Sequence, residues 1–275
     1  MVARARNRAR EYTPSTIRRL DTLAGNECAA PECGRKLIAR DGETIVSKIC
    51  HIEAASPNGR RWNPDMTDDD RRHFGNLILL CDECHTIVDN KDNEAAYPVS
   101  LLKRWKSDHE SKRTYEVLAE HPSLLGTVVD ALADLDLDLS SGERQEMRSF
   151  EIQDKIEHND IKRNRSLIEE LKVLHPKIGA LYKSLEEEGS FKKQNLLRNI
   201  RRLYLQVKGR YVEDSPEPMD MVRAHADDIL EDVQEELLAL VEAGNRSSPE
   251  DMAFGVSVVM VDAFMRCKIL EAPPA

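Results

Sequence analysis

The chain has 275 residues, a formal net charge of −10 and an aromatic content of only 5%. Its longest apolar run, at 253–261, is too short to cross a bilayer, so no membrane partner is expected, and no apolar stretch follows the basic N-terminus as in a secretory signal. Six cysteines, four of them in two close pairs, favour a reducing cytoplasmic setting over a disulfide framework.

Residues 1–120 are predicted to form one domain in which two short strands lie among helices. Thr13-Pro14 is typical of a helix start, because Thr caps the first turn and Pro fits the first helical position. The predicted elements are, in order, a helix from Pro14 to Gly25, a strand at 44–50, a short helix capped by Thr67, a strand at 77–80, a helix at 84–90 and a helix from 98 to about 120.

Residues 121–275 are predicted to form a separate all-α domain, which makes the chain α+β overall. Apolar residues recur at helical spacing at Leu196, Ile200 and Leu203, and again at Ile229 and Val233. No strand pattern follows, and glycines and prolines divide the region into five or six helices.

Charge also separates the two parts of the chain. Residues 1–113 carry 20 basic and 18 acidic side chains, whereas the remaining 162 residues carry 20 and 32. A phosphate backbone is attracted by clustered positive charge and repelled by an acidic surface. DNA is therefore expected to meet the first part.

Four cysteines form the strongest metal-binding pattern. Cys28 and Cys33 form one pair, Cys81 and Cys84 form the other, and thiolates in two close pairs suit a tetrahedral zinc ion. Four protein ligands leave no open position for water, so this zinc would be structural. The alternative is four buried thiols that act as small hydrophobic residues.

Histidines and an asparagine stand beside these cysteines in a recognisable order. The segments are Cys50-His51-Ile52, Asn76-Leu-Ile-Leu-Leu-Cys81 and Asp82-Glu-Cys-His85. The pattern resembles the HNH nucleases, the ββα-metal family that cuts phosphodiester bonds with one histidine and one divalent cation.

The resemblance implies a role for each of these residues. His51 would be the general base, because a neutral imidazole accepts a proton near pH 7. Asn76 would fix the loop and the His51 ring, and His85 would bind the catalytic cation, Mg²⁺ or Mn²⁺. Asp89, four residues beyond His85 on the same helical face, is either a second ligand or a surface acid.

Cys50 departs from the family pattern, since many HNH enzymes carry an Asp or His immediately before the base. A thiolate is a poor ligand for magnesium. Either water, Asp89 or substrate phosphate completes the shell, or the ion is softer, such as manganese. The stretch 51–59, with Met66-Thr67 and Arg71-Arg72, resembles a bacterial antiphage subfamily of HNH domains that shares this replacement, which implies an active site.

Four arginines in the long loop are candidates for binding nucleic acid: Arg60, Arg61, Arg71 and Arg72. Basic side chains there would hold phosphates without reading sequence. The alternative is a solvated charged loop, because the acidic residues 68–70 offset the arginines locally.

The helical part resembles a second family. The segments 154–162, 196–200 with Tyr204, and 261–273 are similar to the C-terminal domain of ABC three-component, Lamassu-like bacterial defence systems. That resemblance implies docking to an SMC-type ATPase and to further subunits, and an oligomer is possible. The chain is thus expected to be the endonuclease of such a complex, acting on DNA, although RNA is open as a substrate. The alternative is a zinc-stabilised DNA-binding or scaffold subunit without cleavage activity.

Overall fold

The computed structural model describes residues 8–120, 123–135, 151–212, 216–242 and 249–274. These residues belong to two compact units, Met1–Glu120 and His121–Ala275. The described part is mostly helical and has one two-stranded sheet, which lies in the first unit. The predicted mixture of a small sheet and many helices is confirmed.

The first unit has its two strands and four helices in the predicted order. Short 3-10 turns lie at Arg8–Arg10, Phe74–Asn76 and Lys91–Asn93. The regular elements are α1 (Pro14–Ala24), β1 (Ser47–His51), α2 (Asp68–Arg72), β2 (Leu77–Cys81), α3 (Asp82–Val88) and α4 (Val99–Glu120).

Local chemistry explains where α1 and α2 begin and end. The Thr13 side chain accepts a hydrogen bond from the Thr16 amide, and Gly25 ends α1 in the left-handed conformation, at φ 56°. Thr67 and Asp70 form a reciprocal capping box at the start of α2. The start of α1, its end at Gly25 and the cap at Thr67 are confirmed.

The sheet places Cys50 and His51 at the start of β2, and Cys50 approaches Asp89 at the end of α3. β1 and β2 are antiparallel, with Cys50 opposite Ile78 and His51 opposite Leu77. Every residue of β2 is buried, which accounts for its unbroken apolar sequence. The predicted first strand was too long, because residues 44–46 pair back onto 37–39 instead of joining the sheet.

Among the described residues of the second unit, the regular elements are all helices, and there are more of them than the five or six predicted. Short helices joined by tight turns account for the difference. The helices are α5 (Leu124–Ala133), α6 (Ile152–His158), α7 (Arg165–Leu171), α8 (His175–Glu187), α9 (Lys192–Val212), α10 (Pro218–Ala224), α11 (Ala226–Glu242) and α12 (Pro249–Met265).

The long apolar helix α12 lies in the core of the second unit. It packs against α5, α7 and α11, and side chains around its middle, such as Val256 and Val259, are completely buried. A helix that is apolar on every side is expected in such a position. Among the described helices, none combines the length and apolar character that a membrane crossing requires.

Candidate metal centres

The four paired cysteines converge on one point of the first unit. Their sulfur atoms all lie within 4.8 Å of one another. Cys28 and Cys33 come from a turn stabilised by hydrogen bonds from the Cys28 amide to the Arg35 carbonyl and from the Cys33 amide to the Ala30 carbonyl. Cys81 ends β2 and Cys84 lies in the first turn of α3.

The geometry of this cluster fits a zinc ion. Sulfur atoms about 2.3 Å from a tetrahedral zinc are about 3.8 Å apart. The Cys33 and Cys81 sulfurs are 3.8 Å apart, and those of Cys33 and Cys84 are 3.5 Å apart. Burial raises the pKa of the Cys28 thiol to about 11, so that a cation is needed to hold this group as a thiolate at neutral pH. The cluster can hold a metal ion such as zinc, and it would clamp the 28–33 turn to the start of α3.

His51, the predicted general base, lies at the end of β1 with a defined ring orientation. Its Nε2 is 3.0 Å from the Ala9 carbonyl oxygen, which can only accept, so Nε2 carries the hydrogen. The neutral ring then has its lone pair on Nδ1. The Tyr12 ring lies 5.9 Å from the imidazole, and burial lowers the pKa of His51.

Asn76 holds the loop after β1, but it does so without binding the His51 ring. Its side-chain oxygen accepts from the Glu53 amide at 2.8 Å, and its Nδ2 donates to the carbonyls of Glu53 and Arg71 at 2.9 and 3.0 Å. The prediction that Asn76 fixes the His51 ring through a hydrogen bond is wrong, because the Asn76 side chain bonds to Glu53 and Arg71, and the ring bonds to the Ala9 carbonyl instead. Sequence reasoning missed Ala9, since a backbone carbonyl leaves no signal in residue type.

A second cluster joins Cys50 with the two predicted cation ligands, His85 and Asp89. One ligand atom from each lies within 4.8 Å of the other two. The Cys50 sulfur is 3.9 Å from Asp89 Oδ1, and His85 Nε2 is 3.5 Å from Asp89 Oδ2. Burial, together with the nearby Asp89 carboxylate, raises the pKa of Cys50 to about 12. Sequence analysis treated Cys50 as a departure from the ligand pattern, and the structure brings its sulfur beside the other two donors.

Arg61 links this second cluster to the backbone of His51. Its guanidinium donates to Asp89 Oδ1 at 2.8 Å and to the His51 carbonyl at 3.4 Å. It also donates to the carbonyls of Ile52 and Val88, and its side chain is only 4% exposed. The prediction of a phosphate contact is wrong for Arg61, because the protein itself occupies its donors.

The predicted phosphate contact is also wrong for Arg71, because the protein occupies its donors as well. It is 2% exposed, its guanidinium donates to the carbonyls of Ala54, Asn63 and Met66, and it stacks over the Trp62 ring at 3.6 Å. Arg71 therefore closes the long loop on itself and does not face a ligand.

Arg60 and Arg72 remain candidates for contacting nucleic acid, because each is partly exposed. Arg60 pairs with Glu94, and Arg72 pairs with Asp69 and donates to the Glu11 carbonyl. Arg10 was missed by the sequence reasoning. It is exposed, and its positive charge is close enough to His51 to act on the pKa of the ring.

The comparisons with known proteins bear on the second unit. Residues 123–271 match the family described as C-terminal domain 10 of the ABC-three component (ABC-3C) systems. The chain belongs to this family. No curated protein and no solved structure matches the chain. The resemblance noted in the helical part is confirmed, and it places the chain in a multi-component defence system.

The three segments that carried the ABC-3C resemblance meet in the structure of the domain. Lys155 is completely buried, and its ammonium donates to the carbonyls of Phe264 and Ile269. The Tyr204 hydroxyl donates to the Glu271 carboxylate at 2.9 Å. These polar residues of the ABC-3C domain therefore tie α6 and α9 to the last turn of α12 and to the segment that follows it.

Proposed function

We propose that this ABC-3C protein is a metal-dependent HNH endonuclease that hydrolyses phosphodiester bonds in DNA as part of antiphage defence. The observation that carries the proposal is the contact of one guanidinium, that of Arg61, with both the His51 carbonyl and the Asp89 carboxylate. This contact supports the proposal because it brings the backbone of His51, the proposed general base, close to Asp89, one of the proposed cation ligands, and the Asp89 charge also acts on the pKa of the His51 ring. Phosphodiester hydrolysis by such an enzyme requires a general base and a divalent cation close to the same phosphate.

In the proposed reaction, Nδ1 of His51 takes a proton from a water molecule, whose oxygen then attacks phosphorus as the bond to the leaving oxygen breaks. The hydrogen bond from Nε2 to the Ala9 carbonyl keeps the lone pair on Nδ1 during this step. Asn76 acts as a positioning residue, because it fixes Glu53 in the loop beyond the base. A divalent cation on His85 and Asp89 would supply Lewis-acid stabilisation of the developing negative charge.

The substrate would approach the first unit. Arg10, Arg60 and Arg72 are proposed to contact phosphates there, which gives affinity without sequence reading. The ABC-3C domain is proposed to dock onto an SMC-type ATPase of the same system and not onto DNA, since the residues after 113 carry a net charge of −12 whereas residues 1–113 carry +2. Co-purification of the full chain with the ATPase encoded beside it tests this docking.

Plasmid cleavage by the full chain, with and without its neighbouring components, tests the nuclease. His51→Ala should reduce the cleavage rate by ~10²–10⁴-fold while zinc content and DNA binding stay unchanged, because only the base is lost. His109→Ala is the matched control. Its ring also lies against a backbone carbonyl, that of Ala24 at 2.9 Å, but on α4.

Two results would contradict the proposal. Cleavage by His51→Ala at the wild-type rate would exclude His51 as the base. Absence of cleavage under every combination of partners and divalent ions, with DNA binding retained, would favour the alternative of a zinc-stabilised DNA-binding or scaffold subunit.

A further inference from the structure

Cys50, His85 and Asp89 present three different donor atoms to one point. Cys50 comes from β1 and is completely buried, His85 lies in α3, and Asp89 caps the end of that helix. The side chains of His85 and Asp89 are 30% and 40% exposed. The group is therefore closed on the side of Cys50 and open towards solvent on the side of the other two residues.

The donor set has a defined chemical preference. A sulfur, an imidazole nitrogen and a carboxylate oxygen suit borderline ions such as Zn²⁺ and Co²⁺, whereas Mg²⁺ prefers oxygen ligands throughout. In tetrahedral coordination at about 2.0–2.3 Å, neighbouring donor atoms lie about 3.3–3.8 Å apart. His85 Nε2 lies 3.5 Å from Asp89 Oδ2, which is close to that separation, and one donor atom from each of the three residues lies within 4.8 Å of the other two.

Asp89 is oriented from outside the cluster. Arg61 donates to Asp89 Oδ1 at 2.8 Å and is itself anchored on the Ile52 and Val88 carbonyls. Hydrogen bonds from a second layer of residues commonly fix the orientation of ligating carboxylates. The other oxygen, Oδ2, faces His85. If the Cys50 thiol only filled space in the core, the His85 imidazole and the Asp89 carboxylate would not need to lie beside it.

We propose that Cys50, His85 and Asp89 form one three-ligand site for a borderline divalent cation, and that Cys50 makes this site select against magnesium. Three protein ligands leave a coordination position open for water or phosphate. The catalytic consequence rests on the proposed nuclease function, whereas the binding itself does not.

Cobalt spectroscopy of the full chain, with its Cys28–Cys33–Cys81–Cys84 cluster loaded with zinc, tests the binding. Titration with Co²⁺ should fill about one further site per chain, with absorption from a sulfur-to-cobalt charge transfer. Cys50→Ala should remove that absorption and weaken Co²⁺ binding by at least ~10–100-fold, while one zinc per chain stays bound. Cys267→Ala is the matched control, because it removes a buried cysteine of the ABC-3C domain and should leave the cobalt spectrum unchanged.

The ion preference provides a second, independent measurement. Cys50→Asp replaces sulfur with oxygen, and it should raise the ratio of Mg²⁺ affinity to Co²⁺ affinity at least tenfold, as measured by competition. Co²⁺ binding without sulfur absorption, or a ratio unchanged in Cys50→Asp, would overturn the proposal even if DNA is cleaved. A cobalt spectrum that depends on Cys50 in a protein that cuts no DNA would uphold this site and refute the nuclease function.

Discussion

Replacing Arg71 with methionine should destabilise the first unit, whereas the same replacement of the neighbouring Arg72 should not. Arg71 donates to three backbone carbonyls, at 2.8, 2.6 and 2.9 Å, and is 2% exposed. Arg72 is partly exposed and pairs with Asp69. Both side chains lose the same charge, so a difference between the variants reports burial and hydrogen bonding.

The size of the effect follows from the three hydrogen bonds. Each hydrogen bond from a charged donor contributes about 1.5–3 kcal/mol, which gives roughly 5–9 kcal/mol before other terms. Keeping a guanidinium out of water costs several kcal/mol, which offsets part of that gain. We expect Arg71→Met to lower the free energy of unfolding by about 3 kcal/mol, and Arg72→Met by less than about 1 kcal/mol.

Urea unfolding followed by tryptophan fluorescence measures this difference. Trp62 and Trp105, the two tryptophans of the chain, both lie in the first unit, so the signal reports that unit alone. With an m-value of about 2 kcal/mol per molar, the midpoint should fall by about 1.5 M for Arg71→Met. Equal midpoints for both variants, together with a loss of DNA affinity in Arg71→Met, would refute the structural role of Arg71. That result would favour the original prediction that Arg71 contacts a phosphate.

Three further outcomes are expected. Asn76→Asp should destabilise the first unit more than Asn76→Ala in the same urea assay. The reason is that a carboxylate would face the Glu53 and Arg71 carbonyls to which Nδ2 of Asn76 donates. A larger destabilisation by Asn76→Ala would contradict this geometry. Cys81→Ser should reduce bound zinc well below one per chain by metal analysis and lower the melting temperature, and unchanged zinc content would exclude the four-cysteine site. The Asp227 carboxylate accepts hydrogen bonds from the amides of Lys162, Arg163 and Asn164, so Asp227→Ala should lower the free energy of unfolding of the ABC-3C domain by about 3 kcal/mol. Calorimetry measures this change, and an unchanged transition would show that water replaces the carboxylate.

Elements with strong local signals could be predicted from the sequence. Thr13-Pro14 and Gly25 fixed the ends of α1, and the pairs Cys28–Cys33 and Cys81–Cys84 have a spacing that few structures other than a metal cluster explain. Asp89 also lies one helical turn beyond His85, as expected, and Asp89 approaches its imidazole.

The predictions that failed concern residues whose surroundings are set by tertiary contacts and not by the neighbouring sequence. The sequence does not distinguish the four arginines of the long loop from one another. The guanidinium groups of Arg61 and Arg71 donate to backbone carbonyls that come together only when the loop folds. The Ala9 carbonyl lies 42 residues before His51 and has no side-chain signature. Ile45 and Val46 have strand-like side chains, but their backbone pairs with 37–38 and ends there.

The seven-residue helix α3 carries donors for both candidate metal centres, since Cys84 belongs to one and the adjacent His85 to the other. A chelator that removes zinc from the four-cysteine cluster would therefore release the start of α3, from which His85 reaches the second cluster. For the proposed nuclease, inactivation by EDTA would then have two origins that an endpoint assay does not separate. The speed of recovery separates them: a lost labile ion is replaced on mixing, whereas a loosened helix must first regain zinc and refold.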